Sequence, residues 1–173
     1  MGKGIAVAGG LIAVIGPLLG IYIAFLGMWY TSFSATILNV TVTTTTWFDV
    51  LGSYHAQVGS ISNVWDPNQM VQILGIILLV GGVITILGGL VDKKAVAGVG
   101  ASLILIGVLV FALMLPSILD SDYFLIRPYW SDYSIYFTMD EGILSTYQML
   151  GGGFWAATIG GVLGLIGMSQ LNK

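Results

Sequence analysis

Residues 70–91 read MVQILGIILLVGGVITILGGLV, a run of 22 residues without one charge. An α-helix needs roughly 20 apolar residues to cross the hydrocarbon core of a bilayer. Asp92-Lys93-Lys94 follows, and then Ala95 to Leu119 is again free of charge. Span, charged turn, span is the pattern of an antiparallel membrane hairpin. Working outward, Gly4–Tyr30 and Thr146–Met168 are also charge-free. The expectation is a single tetraspan domain over 1–173, with spans at about 4–30, 70–91, 95–119 and 146–168, joined outside by residues 31–69 and 120–145.

Composition agrees. Only 8% of the 173 residues are charged, 57% are hydrophobic, and the mean hydropathy is +0.97. Soluble domains carry about 25% charged residues, so the soluble-enzyme classes fall first. With no Cys and one His, disulfides, thiolate metal sites, iron–sulfur clusters and multi-histidine centres within the chain are excluded. The first apolar run is too long for the 7–15-residue core of a cleavable signal and reads as a span.

Charge sets the orientation. Lys3, Asp92, Lys93, Lys94 and Lys173 fall on one side with a net +3, and Asp49, Asp66, Asp120, Asp122, Arg127, Asp132, Asp140 and Glu141 on the other with a net −6. The basic side is expected to be cytoplasmic, with both termini inside a plasma membrane. Trp29, Trp47, Trp65, Trp130 and Trp155 all lie in outer segments or at outer span ends, as an interfacial aromatic belt requires.

The first outer segment reads as β. Ile37 to Thr43 is β-branched and the threonine run continues to Trp47; Tyr54–Val58, a Gly59-Ser60 turn and Ile61–Trp65 form a hairpin. Three or more strands are expected in one small sheet from this first loop. Asn39-Val40-Thr41 is a glycosylation sequon on the expected outer side. The second outer segment is dense in rings: Tyr123, Phe124, Tyr129, Trp130, Tyr133, Tyr136 and Phe137. They read either as a partner-binding surface or as packing on the sheet and an aromatic belt. Asp140-Glu141 would cap the fourth helix.

Glycines recur at sevens: Gly75, Gly82 and Gly89, and then Gly153, Gly160 and Gly167. Seven residues are nearly two helical turns, so each set lies on one face. Such faces allow close helix packing in a left-handed four-helix bundle, or self-association if one points outward. No span holds Asp, Glu, Lys, Arg or His, which argues against a pump, carrier or charge-lined channel in this chain alone. His55 with Asp49 and Asp66 is the one conceivable metal set, and a solvated or hydrogen-bonded strand histidine is the plainer reading. No nucleotide loop or hydrolase motif is present, and no cofactor, catalytic residue or nucleic-acid partner is expected.

The layout resembles the claudin and peripheral myelin protein tetraspan superfamily over the whole chain. Trp29 sits where claudins carry a Trp at the outer end of the first span. Gly52-Ser53-Tyr54 would occupy the position of the Gly-Leu-Trp motif, Asn63-Val64-Trp65-Asp66 resembles the exit from the fourth strand, and Glu141-Gly142, Tyr147 and Gly153-Phe154-Trp155-Ala156-Ala157 resemble the fourth span. The two loop cysteines of that family are absent, Tyr54 replaces the motif Trp, and the tail Ser169–Lys173 is short. The acidic, cysteine-free make-up points to a prokaryotic, archaeal relative. The resemblance implies a non-enzymatic scaffold or adhesion protein that associates laterally or across surfaces, with lipid, itself or other membrane proteins as partners. The alternative is a small accessory subunit of a larger respiratory, oxidoreductase or channel complex.

Overall fold

The computed structural model describes residues 1–37, 40–122, 137–140 and 144–171. Four helices, α1 (Gly2–Leu19), α2 (Gln69–Leu90), α3 (Lys94–Asp122) and α4 (Gly152–Ser169), are each long and apolar enough to cross a membrane. They pack in a ring, α1 on α2, α2 on α3, α3 on α4 and α4 on α1, with little contact across the diagonals. Each neighbouring pair is antiparallel: the start of α1 meets the end of α2 at Gly89 and the end of α4 at Gln170, and the start of α3 meets the end of α4 at Met168.

Small residues permit the close approach. A Cβ on Gly160 would lie 2.5 Å from the Gly9 carbonyl oxygen and 2.7 Å from the Ala13 Cβ; one on Gly82 would lie 2.5 Å from Val14, and one on Gly81 2.8 Å from the Gly100 oxygen. Backbone is thus packed closely against backbone, as small residues at helix interfaces allow. Large side chains fill the other half of the bundle. Leu74, Leu78, Ile104, Val108, Phe111, Leu115 and Phe154 form one core with Trp29, Phe48, Val50 and Tyr54 from the sheet.

The α2–α3 turn is a Schellman cap. Lys93 N–H donates to the Gly88 carbonyl at 2.9 Å, Asp92 N–H to the Gly89 carbonyl at 3.4 Å, and Asp92 takes the left-handed position at φ 58°. Its carboxylate meets Lys3 at 3.0 Å.

Six strands form one antiparallel sheet: β1 (Trp29–Ile37), β2 (Val40–Phe48), β3 (Tyr54–Val58), β4 (Ile61–Trp65), β5 (Phe137–Asp140) and β6 (Leu144–Leu150), in the order β4-β3-β2-β1-β6-β5. The hairpin at 54–65 lies where the sequence puts it. Three expectations change. The first span was expected to reach Tyr30, but α1 carries Pro17 in its last turn and ends at Leu19. A short 3-10 turn at Ala24–Leu26 leads into β1. The fourth span was expected from Thr146, but Thr146 pairs with Phe33 in β6 and the helix starts at Gly152. The sheet is not built from the first outer segment alone. Residues 137–140 and 144–150 add two strands, because β6 satisfies the second edge of β1.

Overpacking a backbone contact costs about 1–3 kcal/mol. Gly160→Leu, whose side chain has no room against Gly9 and Ala13, is expected to lower the thermal midpoint in detergent by several degrees. Gly4→Ala, with nothing within 4 Å of the added methyl, is expected to leave it unchanged. Equal midpoints for both variants would count against this packing.

Candidate functional site

The sheet meets the bundle at a joint made by short-range hydrogen bonds and glycines. Trp47 sits one residue from the base of β2, and its indole N–H donates to the Gly20 carbonyl at 2.9 Å, buried. Met28 N–H donates to the Phe48 carbonyl at 2.7 Å, Gly151 N–H to Met28 at 3.1 Å, and Gly153 N–H to Gly27 at 3.2 Å. A Cβ on Gly151 would collide with the Gly27 carbonyl, and one on Gly75 with the Val50 carbonyl. The glycines therefore mark where strand ends cross helix ends.

The β2–β3 turn is held by Asp49. One carboxylate oxygen accepts from Leu51 N–H at 2.8 Å and Ser53 N–H at 3.0 Å. The other meets His55 Nε2 at 2.8 Å. The His55 ring stacks on Trp47 with centroids 4.7 Å apart and planes 5° from parallel. Both Asp49 and His55 are buried. Gly52, at φ 86°, turns its carbonyl to Asn68 N–H at 2.9 Å. Asn68 in turn caps α2 through Met70 N–H at 3.0 Å and Val71 N–H at 3.2 Å. One chain of polar contacts thus runs from β3 through the turn to the first turn of α2.

Two rows of rings cross the base of the sheet, one on each face. Trp29, Phe48, Tyr54 and Trp65 are direct cross-strand neighbours, with successive centroids 5.7, 5.3 and 5.3 Å apart. On the opposite face Tyr30 pairs with Trp47, and Trp47 with His55. Beyond the rings that second face is hydroxyl-rich. Ser34 and Thr43 share a 2.9 Å bond, as do Thr36 and Thr41. The first face carries exposed Phe33, Val40, Val42, Val58 and Ile61. Burial pushes the Tyr54 hydroxyl above its ordinary pKa of 10.0, opposed by the Thr46 hydroxyl.

β4 is an outer strand, and all five of its residues are exposed. It contains no charge and no proline. Natural sheets usually blunt such an edge with Lys, Pro or a bulge. Gly59, at φ 59° in the first central position, makes the tight two-residue turn between β3 and β4. The pair closing such a turn, Val58 and Ile61, is hydrogen-bonded, so alternation turns the N–H and C=O of Ser62 and Val64 outward.

Of the expected site residues, Gly82, Gly89, Gly160 and Gly167 all face α1, Gly153 faces Pro17 at the end of α1 together with Leu26, and Gly75 faces the Val50 carbonyl. Among the described glycines, only Gly4 and Gly59 have open space around an added Cβ. Phe137 opens β5, paired with Gln148. Tyr123, Phe124, Tyr129, Trp130, Tyr133, Tyr136 and the sequon Asn39 lie outside the described residues. Asp140 belongs to β5 and does not cap α4; that place is taken by Gly151, without a side-chain bond. Asp66 is exposed, apart from the Asp49–His55 pair, and no group of three metal-ligating residues occurs among the described residues. The roles of Trp47 and Gly20 were missed, because Trp47 lies well inside the first outer segment and Gly20 inside the expected first span. Comparison with known protein families and with curated proteins finds no match to this chain.

Removing a buried charge-assisted bond costs about 1.5–3 kcal/mol. Asp49→Ala is expected to lose about that much stability, more than Trp47→Phe at about 1 kcal/mol, with faster proteolysis of the β2–β3 turn; wild-type proteolysis rates would contradict the joint. Because the folded Tyr54 holds its proton more tightly than the unfolded one, stability is full below pH 10 and falls as pH rises above it. Tyr54→Phe is expected to flatten that alkaline loss in midpoint-against-pH curves.

Proposed function

We propose that this chain is a non-enzymatic, multi-pass plasma-membrane protein with cytoplasmic termini, a left-handed helical bundle and an extracellular sheet. Its work is lateral association with further copies of itself through that sheet. The four apolar helices and the acidic residues at the sheet end, against Lys3, Lys93 and Lys94 at the other, support the placement.

The observation that carries the association is the bare β4 edge. All five strand pairings are antiparallel, so the six strands alternate in direction and the two outer ones, β4 and β5, run oppositely. A neighbour in the same membrane, turned about the membrane normal, keeps its upright sense. Its β5 then meets β4 antiparallel, the favourable pairing. Contacts of this head-to-tail kind close into rings or extend into rows. A β4–β4 contact about the same axis would be parallel and is not favoured.

The test is native mass analysis of the intact chain in nanodiscs. Wild type is expected to carry more than one copy. Val64→Pro removes an outward N–H without touching the β3 ladder, and is expected to give single copies with an unchanged thermal midpoint. A single-copy wild type, or a Val64→Pro protein that still assembles, would overturn edge pairing. Purification in fixed ratio with cofactor-bearing subunits would favour the accessory-subunit reading instead.

A further inference from the structure

The end of the bundle away from the sheet carries a feature that the association does not use. Between α3 and α4 lies an open groove of about 810 Å³, walled by Gly98, Ser102, Ile106, Leu165 and Met168, with Lys94 at its mouth. Its volume is in the range of small-molecule sites, about 300–1,000 Å³. From Lys94 to Ile106 the helix rises roughly 18 Å, close to the roughly 15 Å hydrocarbon depth of one leaflet. Gly98 opens the wall, since a Cβ there would meet the Met168 sulfur.

The charge at the mouth is one-sided. Asp92, the acid nearest in sequence, is held by Lys3 at 3.0 Å. Lys93 and Lys94 enter no ion pair among the described residues. The first turn of α3 contains no acidic residue, so its N-terminal N–H groups add to the positive potential. An apolar channel one leaflet deep, with the Lys94 ammonium at its mouth, Lys93 next to it in sequence and a helix N-terminus beside them, is complementary to a molecule with one anionic head and a long apolar tail. A basic pocket between spans on the cytoplasmic side is a recurrent form of lipid headgroup site.

We infer that this groove binds an anionic phospholipid, its phosphate on Lys93 and Lys94 and an acyl chain along Gly98, Ser102 and Ile106. The assignment to the inner leaflet rests on the orientation proposed above; the site itself does not. The lipid would cover the α3–α4 seam at the end where the bundle's own core is small, being Ala6, Ala97 and Leu171.

The experiment uses the full chain, stripped of lipid in neutral-detergent micelles. It is titrated with phosphatidylglycerol or phosphatidylcholine of identical acyl chains and read by native mass spectrometry. Wild type is expected to retain one phosphatidylglycerol with a preference of about tenfold or more over phosphatidylcholine. The K93Q/K94Q double variant is expected to lose the preference while keeping its thermal midpoint. Ser102→Trp, which fills the groove, is expected to weaken retention of both lipids. Inorganic phosphate at millimolar concentration is expected not to displace the lipid. Equal retention of the two lipids by wild type, an undiminished preference in K93Q/K94Q, or displacement by phosphate alone would overturn the site. Micelles have no sides, so orientation is read separately: Lys93→Cys, the only thiol in the chain, should resist an impermeant thiol reagent added outside sealed cells. Labelling there would overturn the orientation and leave the lipid site standing.

Discussion

A helix that ends at a membrane surface leaves its last carbonyls without helical partners, and a buried one left unpaired is costly. At the end of α1 the Gly20 carbonyl is such a group, and the Trp47 indole takes it at 2.9 Å. Much of the joint depends on this contact. Trp47 is fixed by it, His55 stacks on Trp47, Asp49 holds His55, and the turn that Asp49 organises feeds through Gly52 to the Asn68 cap of α2. This donor on a strand, together with the Asp49 and Gly52 bonds, ties the first two spans to one sheet.

The two halves of the bundle solve different problems. Near the sheet the helices are spread by Phe111, Phe154, Leu74 and Leu78, and the rings of the sheet base enter the same core. Sheet and helices are then one packed body, and displacement of one requires repacking of the other. Toward the far end glycine and alanine let the backbones touch, as at Gly9–Gly160 and Gly88–Ala97. Little side-chain volume is buried there, and dispersion between closely spaced backbones takes over the cohesive role that the hydrophobic effect has in water.

The spans and the hairpin at 54–65 were legible because each is a long, unmixed pattern: uninterrupted apolar runs for helices, and a Gly-Ser turn between alternating segments for the hairpin. The boundaries at Leu19 and Gly152 were not. Ile21 to Tyr30 and Thr146 to Leu150 are apolar enough to pass for span, and what removes them from it is pairing across long sequence separations, Trp29 with Leu150 and Phe33 with Thr146. Hydropathy is a local quantity and carries no record of a partner about 120 residues away. The glycine repeats were legible as packing positions, but not which neighbour each would meet. Gly75 obeys the same sevens as Gly82 yet faces a loop carbonyl, because the β2–β3 turn descends onto α2 at that level. A hydrogen-bonded strand histidine was legible at His55, but not its partner: the contact with Asp49 depends on a five-residue turn that no periodicity describes.

The charge-free apolar runs of the four helices acquire a further meaning beside this geometry. The buried polar side chain of α2, Thr85, is satisfied within its own helix by the Gly81 carbonyl at 2.8 Å. Its hydroxyl is thus spent on the backbone of its own helix. Polar capacity stands at the two ends: outward backbone groups along β4 at one, and Lys93 and Lys94 at the other. The first suits a rigid protein neighbour, because backbone groups on a strand demand a partner with fixed spacing. The second suits a flexible amphiphile, because lysine ammonium groups tolerate variable geometry.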